Sequence, residues 1–108
     1  MTNIAPRGSA PYRHTVRITF DPAKRARTLT ERGLDFADAR EVFAGLHATL
    51  PDERRDYGEP RFISAGMLRG RLVVLVWTPR GTARRVISMR HAHAKEEAVW
   101  RQALGGSG

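Results

Sequence analysis

The sequence predicts a single α+β domain, with an antiparallel sheet of four or so strands on which two N-terminal helices and one C-terminal helix pack. Three observations support this fold class. The 108 residues, 41% of them hydrophobic, suffice for one domain with one core. Helix start and stop signals flank two segments of the first half and one segment at the end. The strand-like runs of the second half are joined by connections so short that they require antiparallel hairpins.

The first half of the chain predicts one strand followed by two helices. Apolar and polar residues alternate over His14–Phe20, as in a half-buried strand. Asp21-Pro22 starts a helix because the carboxylate caps free N–H groups and proline has none to cap. This helix ends at about Arg32, before Gly33. A second helix follows, with Asp35 as its cap, and runs through Phe43.

The second half predicts a meander and a terminal helix. A candidate short strand at Leu46–Leu50 precedes an exposed polar loop at Pro51–Pro60. Three strand-like runs follow, at Arg61–Leu68, Arg71–Thr78 and Ala83–Arg90. The run Leu72–Trp77 is apolar on both faces and is predicted to be the central strand. A helix over Ala94–Leu104 closes a domain of residues 14–104, between a flexible leader (1–13) and a flexible tail (105–108).

Several classes of function are excluded by what the sequence lacks. There is no cysteine, which rules out disulfides, thiolate zinc sites and cysteine nucleophiles and suits the cytoplasm. The longest apolar run, Leu72–Trp77, is far shorter than the roughly 20 residues of a membrane helix. No Gly-rich phosphate loop or Gly-x-Ser-x-Gly elbow occurs. No third ligand pattern accompanies His91 and His93, so we expect neither a metal nor another cofactor.

The charge is strongly basic and unevenly distributed. Nineteen Lys and Arg residues, seventeen of them arginine, face eleven Asp and Glu residues, giving a net charge of +8. Eight basic residues and no acidic one occur from Arg61 to Lys95. Because arginine binds phosphate and carboxylate oxygens in pairs and stacks on bases, this half favours nucleic acid or an acidic protein as partner.

The residues in and after the last strands are those that RNA cleavage would need. Internal attack requires the ribose 2′-OH deprotonated, the leaving oxygen protonated and the charge at phosphorus stabilised. Arginine serves the last role, and the proton-transfer candidates are His91, His93, Glu96 and Lys95. Trp77 is either a core residue or a ring on which a base stacks.

Three stretches together resemble the BrnT family of toxins from bacterial type II toxin–antitoxin pairs, over roughly residues 18–101. They share the family's residue types in the family's order and spacing. The stretches are Phe20-Asp21-Pro22-Ala23-Lys24 with Gly33–Ala39 and Val42-Phe43; Glu59 with Arg61–Ser64 and Gly66; and Arg85–Arg90 with Ala92, Glu96 and Trp100.

The resemblance implies a RelE-like fold and a metal-independent endoribonuclease that arrests growth. It also implies a ribbon-helix-helix antitoxin, in a 2:2 assembly that reaches operator DNA only through the antitoxin. The catalytic residues it indicates are Arg61, Arg85, Arg90 and Glu96. We further expect RNA contacts from Trp77, Arg84, His93 and Lys95. Two alternatives stay open: a non-catalytic nucleic-acid-binding module, and a protein whose basic face only receives an acidic partner.

Overall fold

The structure, a computed structural model, describes residues 16–105. This range contains one strand, two helices, four consecutive strands and a final helix. The predicted leader (1–13), His14 and the tail residues 106–108 lie outside that range. The strands are β1 (Arg17–Phe20), β2 (His47–Pro51), β3 (Phe62–Leu68), β4 (Arg71–Arg80) and β5 (Ala83–His91). The helices are α1 (Pro22–Arg32), α2 (Ala39–Ala44) and α3 (Ala94–Gly105), with a 3-10 turn at Phe36–Asp38.

The strands form one sheet in the order β1-β5-β4-β3-β2. The pairs β3–β4 and β4–β5 are antiparallel, as their short connections predict, and β2–β3 is also antiparallel, across the loop of residues 52–61. The α+β class is confirmed, with two differences: the sheet has five strands, and β1 pairs with β5 in parallel. A parallel pair needs a long crossover, and here the two helices and the rest of the meander provide it.

The predicted caps form. Asp21 accepts a hydrogen bond from the Ala23 N–H at 3.0 Å, and Gly33 adopts the left-handed φ of 69° that ends α1. Asp35 caps the 3-10 turn through the Ala37 N–H and also binds Arg25 through two hydrogen bonds, at 2.8 and 3.0 Å. The second helical segment therefore begins as a 3-10 turn and becomes α-helical only at Ala39.

Apolar side chains cover β4 on both faces, as predicted for the central strand. On one face, Val73 and Leu75 pack with Phe36 of the 3-10 turn and Val42 of α2, and α1 lies against β5. This side is termed the α1–α2 face. On the other, termed the α3 face, Leu72, Val74 and Ala65 of the sheet pack against Trp100 and Leu104 of α3. Among residues 16–105, no helix is long and apolar enough to cross a membrane.

Candidate nucleic-acid interface

A β-bulge in β5 places Arg85 and Arg90 on the same face of the sheet. They are five positions apart in the sequence, and in a regular strand an odd spacing puts two side chains on opposite faces. In β5, however, Val86 pairs with Trp77 and Ser88 pairs with Val76, so Ile87 is an extra residue without a partner in β4. Alternation restarts after Ile87, and both arginines lie on the α3 face.

Arg61 belongs to the same face. Arg85 pairs with Thr78, and the β3–β4 register, continued one residue before Phe62, sets Arg61 opposite Thr78. Neighbouring strands lie about 4.8 Å apart, so the Cα atoms of Arg61 and Arg85 are roughly 10 Å apart with Thr78 between them. The three arginines predicted to hold phosphate therefore share the α3 face: Arg61 and Arg85 lie near the start of β3, and Arg90 lies opposite Val74, roughly 13 Å farther along β4.

Arg90 is fixed by Glu96 across the junction of β5 and α3. Its Nη1 and Nη2 atoms bind the two carboxylate oxygens of Glu96, the second at 3.2 Å. Glu96 also accepts the His93 N–H at 2.7 Å, as the Glu of a helix capping box does. The hydrogen bonds from Arg90 and from the His93 backbone lower the pKa of Glu96 to about 2. The carboxylate is therefore a weak base and a strong anchor for Arg90.

Arg61 is held between a carboxylate and an aromatic ring. Its Nε donates to Glu59 at 3.2 Å, and Glu59 also binds Arg80 at 3.1 Å. Desolvation is the largest single influence on Glu59 and raises its pKa, but the hydrogen bonds and charges of Arg61 and Arg80 outweigh it, so the pKa lies below its usual value. The Arg61 guanidinium lies 4.1 Å from the centre of the Tyr57 ring.

The loop that carries Tyr57 is folded around a buried carboxylate. The side chain of Asp52 is fully buried and binds the Arg54 guanidinium at 2.7 and 2.8 Å. Its N–H donates to the Arg61 carbonyl at 2.8 Å and so closes the loop. Hydrogen bonds from the side chain and backbone of Arg54 hold the pKa of Asp52 well below its usual range, against the effect of burial. The prediction of an exposed loop is wrong at Asp52.

Arg85 differs from its two neighbours on the α3 face because, among residues 16–105, it forms no ion pair. It is half-buried, between Thr19 of β1 and Thr78 of β4 in the register. An unpaired guanidinium between two carboxylate-paired arginines has its donors available for a phosphate.

Trp77 and Arg84 lie on the opposite face. Trp77 is 8% exposed, and its indole N–H donates to the Ser64 hydroxyl at 2.8 Å within the core. The Arg84 guanidinium lies 4.3 Å from the centre of the Trp77 ring and 4.4 Å from that of Phe43, and burial lowers its pKa. The structure does not bring these two residues together with Arg85 and Arg90, and we leave them out of the candidate interface.

The two histidines near the end of β5 are separated by the sheet. His91 pairs with Val73 and points to the α1–α2 face. His93 is exposed at the start of α3, beside Glu96. Lys95 is exposed in the first turn of α3. Of the residues predicted to transfer protons, His93, Lys95 and Glu96 therefore lie at the Arg90 end of the interface. No group of three metal-binding side chains occurs within residues 16–105.

Sequence reasoning missed two residues of this surface, Tyr57 and Arg80. Tyr57 was placed in a solvated loop, although it is the one aromatic residue of that polar stretch. Arg80, at the end of β4, was not among the predicted site residues, yet it binds Glu59 together with Arg61. The Asp52-x-Arg54 spacing is the signal that could have indicated a folded loop, since it allows the two-point ion pair.

The comparisons with known proteins agree with the sequence motifs. The family model described as the ribonuclease toxin BrnT of type II toxin–antitoxin systems matches residues 20–96. No curated protein matches the chain significantly. The family match covers α1, α2, the whole meander from β2 to β5 and the first turn of α3, and thus includes Arg61, Arg85, Arg90 and Glu96. The chain therefore belongs to the BrnT family of ribonuclease toxins.

Proposed function

We propose that this protein is a metal-independent endoribonuclease that cuts RNA on the α3 face of its sheet and thereby arrests growth. The observation that carries the proposal is the convergence of Arg61, Arg85 and Arg90 on that face, in a chain of a ribonuclease toxin family. Three guanidinium groups supply the positive charge that a scissile phosphate requires without a metal ion. The RNA of the cytoplasm is the expected substrate.

The reaction we propose is attack of the ribose 2′-oxygen on the adjacent phosphorus. The P–O5′ bond breaks, leaving a 2′,3′-cyclic phosphate and a 5′-hydroxyl. Arg85 has its donors available and binds the phosphate that is cut, while Arg61 and Arg90 stabilise the charge that develops on its oxygens. Both paired arginines are pre-oriented by Glu59 and Glu96, so less freedom is lost when RNA binds.

Glu96 acts in this scheme as a positioning residue. A general base works best when its pKa lies near the working pH, and the pKa of Glu96 is about 2. His93 carries an imidazole, the side chain most often used for general acid–base catalysis, and lies next to Glu96. We therefore assign proton transfer to His93, with Lys95 beside it as a further contact to RNA.

The antitoxin is proposed to neutralise the toxin by covering the same surface. An acidic or apolar segment placed over Arg61, Arg85 and Arg90 would exclude RNA by occupying its site. The family resemblance supports a ribbon-helix-helix antitoxin and a 2:2 assembly that reaches operator DNA through the antitoxin. A complex whose α3 face stayed open would contradict this part of the proposal.

The test is inducible expression in a bacterial host, comparing the wild type with Arg90→Ala and with the control Arg101→Ala. Arg101 is exposed on α3 and pairs only with Glu97 among residues 16–105. Growth arrest with discrete RNA cleavage, lost in Arg90→Ala and kept in Arg101→Ala, supports the proposal. Normal growth and intact RNA from soluble wild-type protein would contradict it. Arrest that persists in His93→Ala with RNA bound but uncut would indicate a binding module.

A further inference from the structure

A second group of basic side chains lines a pocket of about 370 Å³ on the α1–α2 face. Four basic groups line it: Arg32 from the end of α1, Arg69 from the turn between β3 and β4, Arg71 from the start of β4, and His91 from the end of β5. Nothing in the proposed cleavage uses them, since the sheet separates them from Arg90 and Glu96.

The pocket carries uncompensated positive charge. Its one lining carboxylate, Asp38, already faces Arg69, which binds Asp38 at 3.4 Å and Glu41 at 2.8 Å. Arg71 is exposed and forms no ion pair with any residue of the described range 16–105. The pocket therefore contains at least one guanidinium group with no anionic partner.

Arg32 is held in place by the protein itself. Its Nη1 atom donates to the Met89 carbonyl at 2.9 Å, which ties the end of α1 to β5. This bond uses one of the five N–H donors of the guanidinium, and the others remain for a ligand. The result is a pre-positioned cation beside a free one, which is the arrangement that binds phosphate well.

The positively charged surroundings of His91 also favour the binding of an anion. Partial burial lowers its pKa, and the charge of Arg71 lowers it further. The charged groups that line the pocket with it are Arg32, Arg69, Arg71 and Asp38. An anion bound between these cations would offset their repulsion and would favour the protonated imidazole, adding a third donor.

We propose that this pocket binds a phosphate group of the nucleic acid, at a position on the strand other than the one that is cut. The inference rests on the proposed function for the identity of the strand. Because β1 pairs only with Ala83–Val86, no strand within residues 16–105 lies beside β5 on that side beyond Val86. Arg90 and His91 are consecutive and point to opposite faces of the sheet. A single strand of nucleic acid that passes around this edge therefore contacts both the α3 face and the pocket.

The experiment is an NMR titration of the His91 ring in the full chain at low salt. The probes are inorganic phosphate, acetate, and a short oligodeoxynucleotide, which lacks the 2′-OH and so is not cut. His91→Gln identifies the ring signal among the four histidines. Arg71→Gln removes the free cation, and Arg27→Gln removes an exposed arginine of α1 outside the pocket as a control.

We expect phosphate and the oligodeoxynucleotide to shift His91 saturably and to compete with each other. Loss of one charge-assisted contact should weaken phosphate binding roughly tenfold in Arg71→Gln, and less than about twofold in Arg27→Gln. Circular dichroism confirms that the variants are folded, and the wild-type titration is decisive without them.

Three results would overturn the inference: a shift that never saturates, acetate acting as well as phosphate, or phosphate binding without any response of His91 to the oligodeoxynucleotide. The two proposals fail separately. A protein that cuts RNA while His91 does not respond lacks the pocket function only. A protein that binds the oligodeoxynucleotide here but leaves RNA intact lacks the proposed cleavage only.

Discussion

Arg90 and Glu96 form a two-point ion pair that joins the end of β5 to the first turn of α3. The same carboxylate binds the His93 N–H, so one side chain both orients an arginine and caps a helix. The arrangement couples the candidate interface to the stability of the fold, because α3 covers the apolar side chains of Ala65, Leu72 and Val74 on the α3 face.

We expect Glu96→Gln to lower the free energy of unfolding by about 1–2 kcal/mol, since it weakens a charge-assisted pair and a helix cap. The control is Glu97→Gln, which removes an exposed i,i+4 pair with Arg101 and should cost less than about 0.5 kcal/mol. Urea unfolding at pH 7 measures both. Equal effects of the two variants would show that the Arg90–Glu96 pair contributes no more to the free energy of unfolding than the exposed Glu97–Arg101 pair does.

The contribution of Glu96 should depend on pH in a defined direction. Its pKa is about 2 in the folded protein, below the ordinary value of 4.5 that applies when the chain is unfolded. The stabilisation is therefore fully present above about pH 5 and is lost as the pH falls toward 2. Urea unfolding of the wild type and Glu96→Gln between pH 3 and pH 7 should show curves that converge at low pH. A difference that stayed constant over this range would contradict the pKa shift.

Asp52 should be the most sensitive residue of the loop before β3. Its buried carboxylate accepts hydrogen bonds from the Arg54 side chain and backbone, and Asp52→Asn should lower the free energy of unfolding by about 2–3 kcal/mol. The loop should loosen, so Arg61 loses its fixed position and RNA cleavage falls. Asp56→Asn is the control, because within residues 16–105 the Asp56 side chain accepts a hydrogen bond only from the exposed Gly58 N–H. Thermal unfolding with amide hydrogen exchange of residues 52–61 measures both effects, and an intact loop in Asp52→Asn would refute the assignment.

Gly66 is required by packing between β3 and α2. A Cβ atom there would lie 2.9 Å from Val42 Cγ1 and 3.1 Å from both the His47 Cβ and the Leu46 carbonyl oxygen. Gly66→Ala should therefore destabilise the fold by roughly 1–3 kcal/mol through overpacking. At Gly45 the nearest atom to a Cβ would be the Glu41 carbonyl oxygen at 3.7 Å, so Gly45→Ala should be tolerated. Chemical denaturation of both variants tests the difference, and a stable Gly66→Ala protein would contradict it.

Local signals predicted most of the fold because each element depends on a few neighbouring residues. The caps at Asp21 and Gly33, the hairpins and the two-sided apolar run of β4 are all confirmed. The parallel pairing of β1 with β5 was not predicted, since the direction in which β1 joins the sheet depends on tertiary packing rather than on its own residues.

The composition of the interface was easier to predict than its geometry. Basic residues without nearby acids, together with the family motifs, singled out Arg61, Arg85 and Arg90. Whether Arg85 and Arg90 share a face depends on the bulge at Ile87, and no glycine marks that position. Strict alternation along β5 would have placed Arg90 beside Arg84 rather than beside Arg85. The ion pair between Arg90 and Glu96 likewise depends on how α3 folds back.

The adjacent residues Arg84 and Arg85 offer the sharpest test of the candidate interface. Both substitutions to glutamine remove one positive charge from β5, but only Arg85 lies on the α3 face. Arg85→Gln should reduce RNA cleavage by roughly tenfold or more, because one charge-assisted phosphate contact contributes about 1.5 kcal/mol or more. Arg84→Gln should leave cleavage within a factor of about three and instead lower the free energy of unfolding by about 1 kcal/mol, through lost stacking on Trp77 and Phe43.

The test measures the rate of cleavage of a defined RNA and the free energy of unfolding in urea, for both purified variants at one salt concentration. We expect Arg85→Gln to lose cleavage activity and Arg84→Gln to lose stability. If Arg84→Gln abolished cleavage while Arg85→Gln did not, RNA would bind the α1–α2 face and the bulge at Ile87 would not define the interface. If both variants lost activity equally, net charge rather than the placement of Arg85 would control RNA binding.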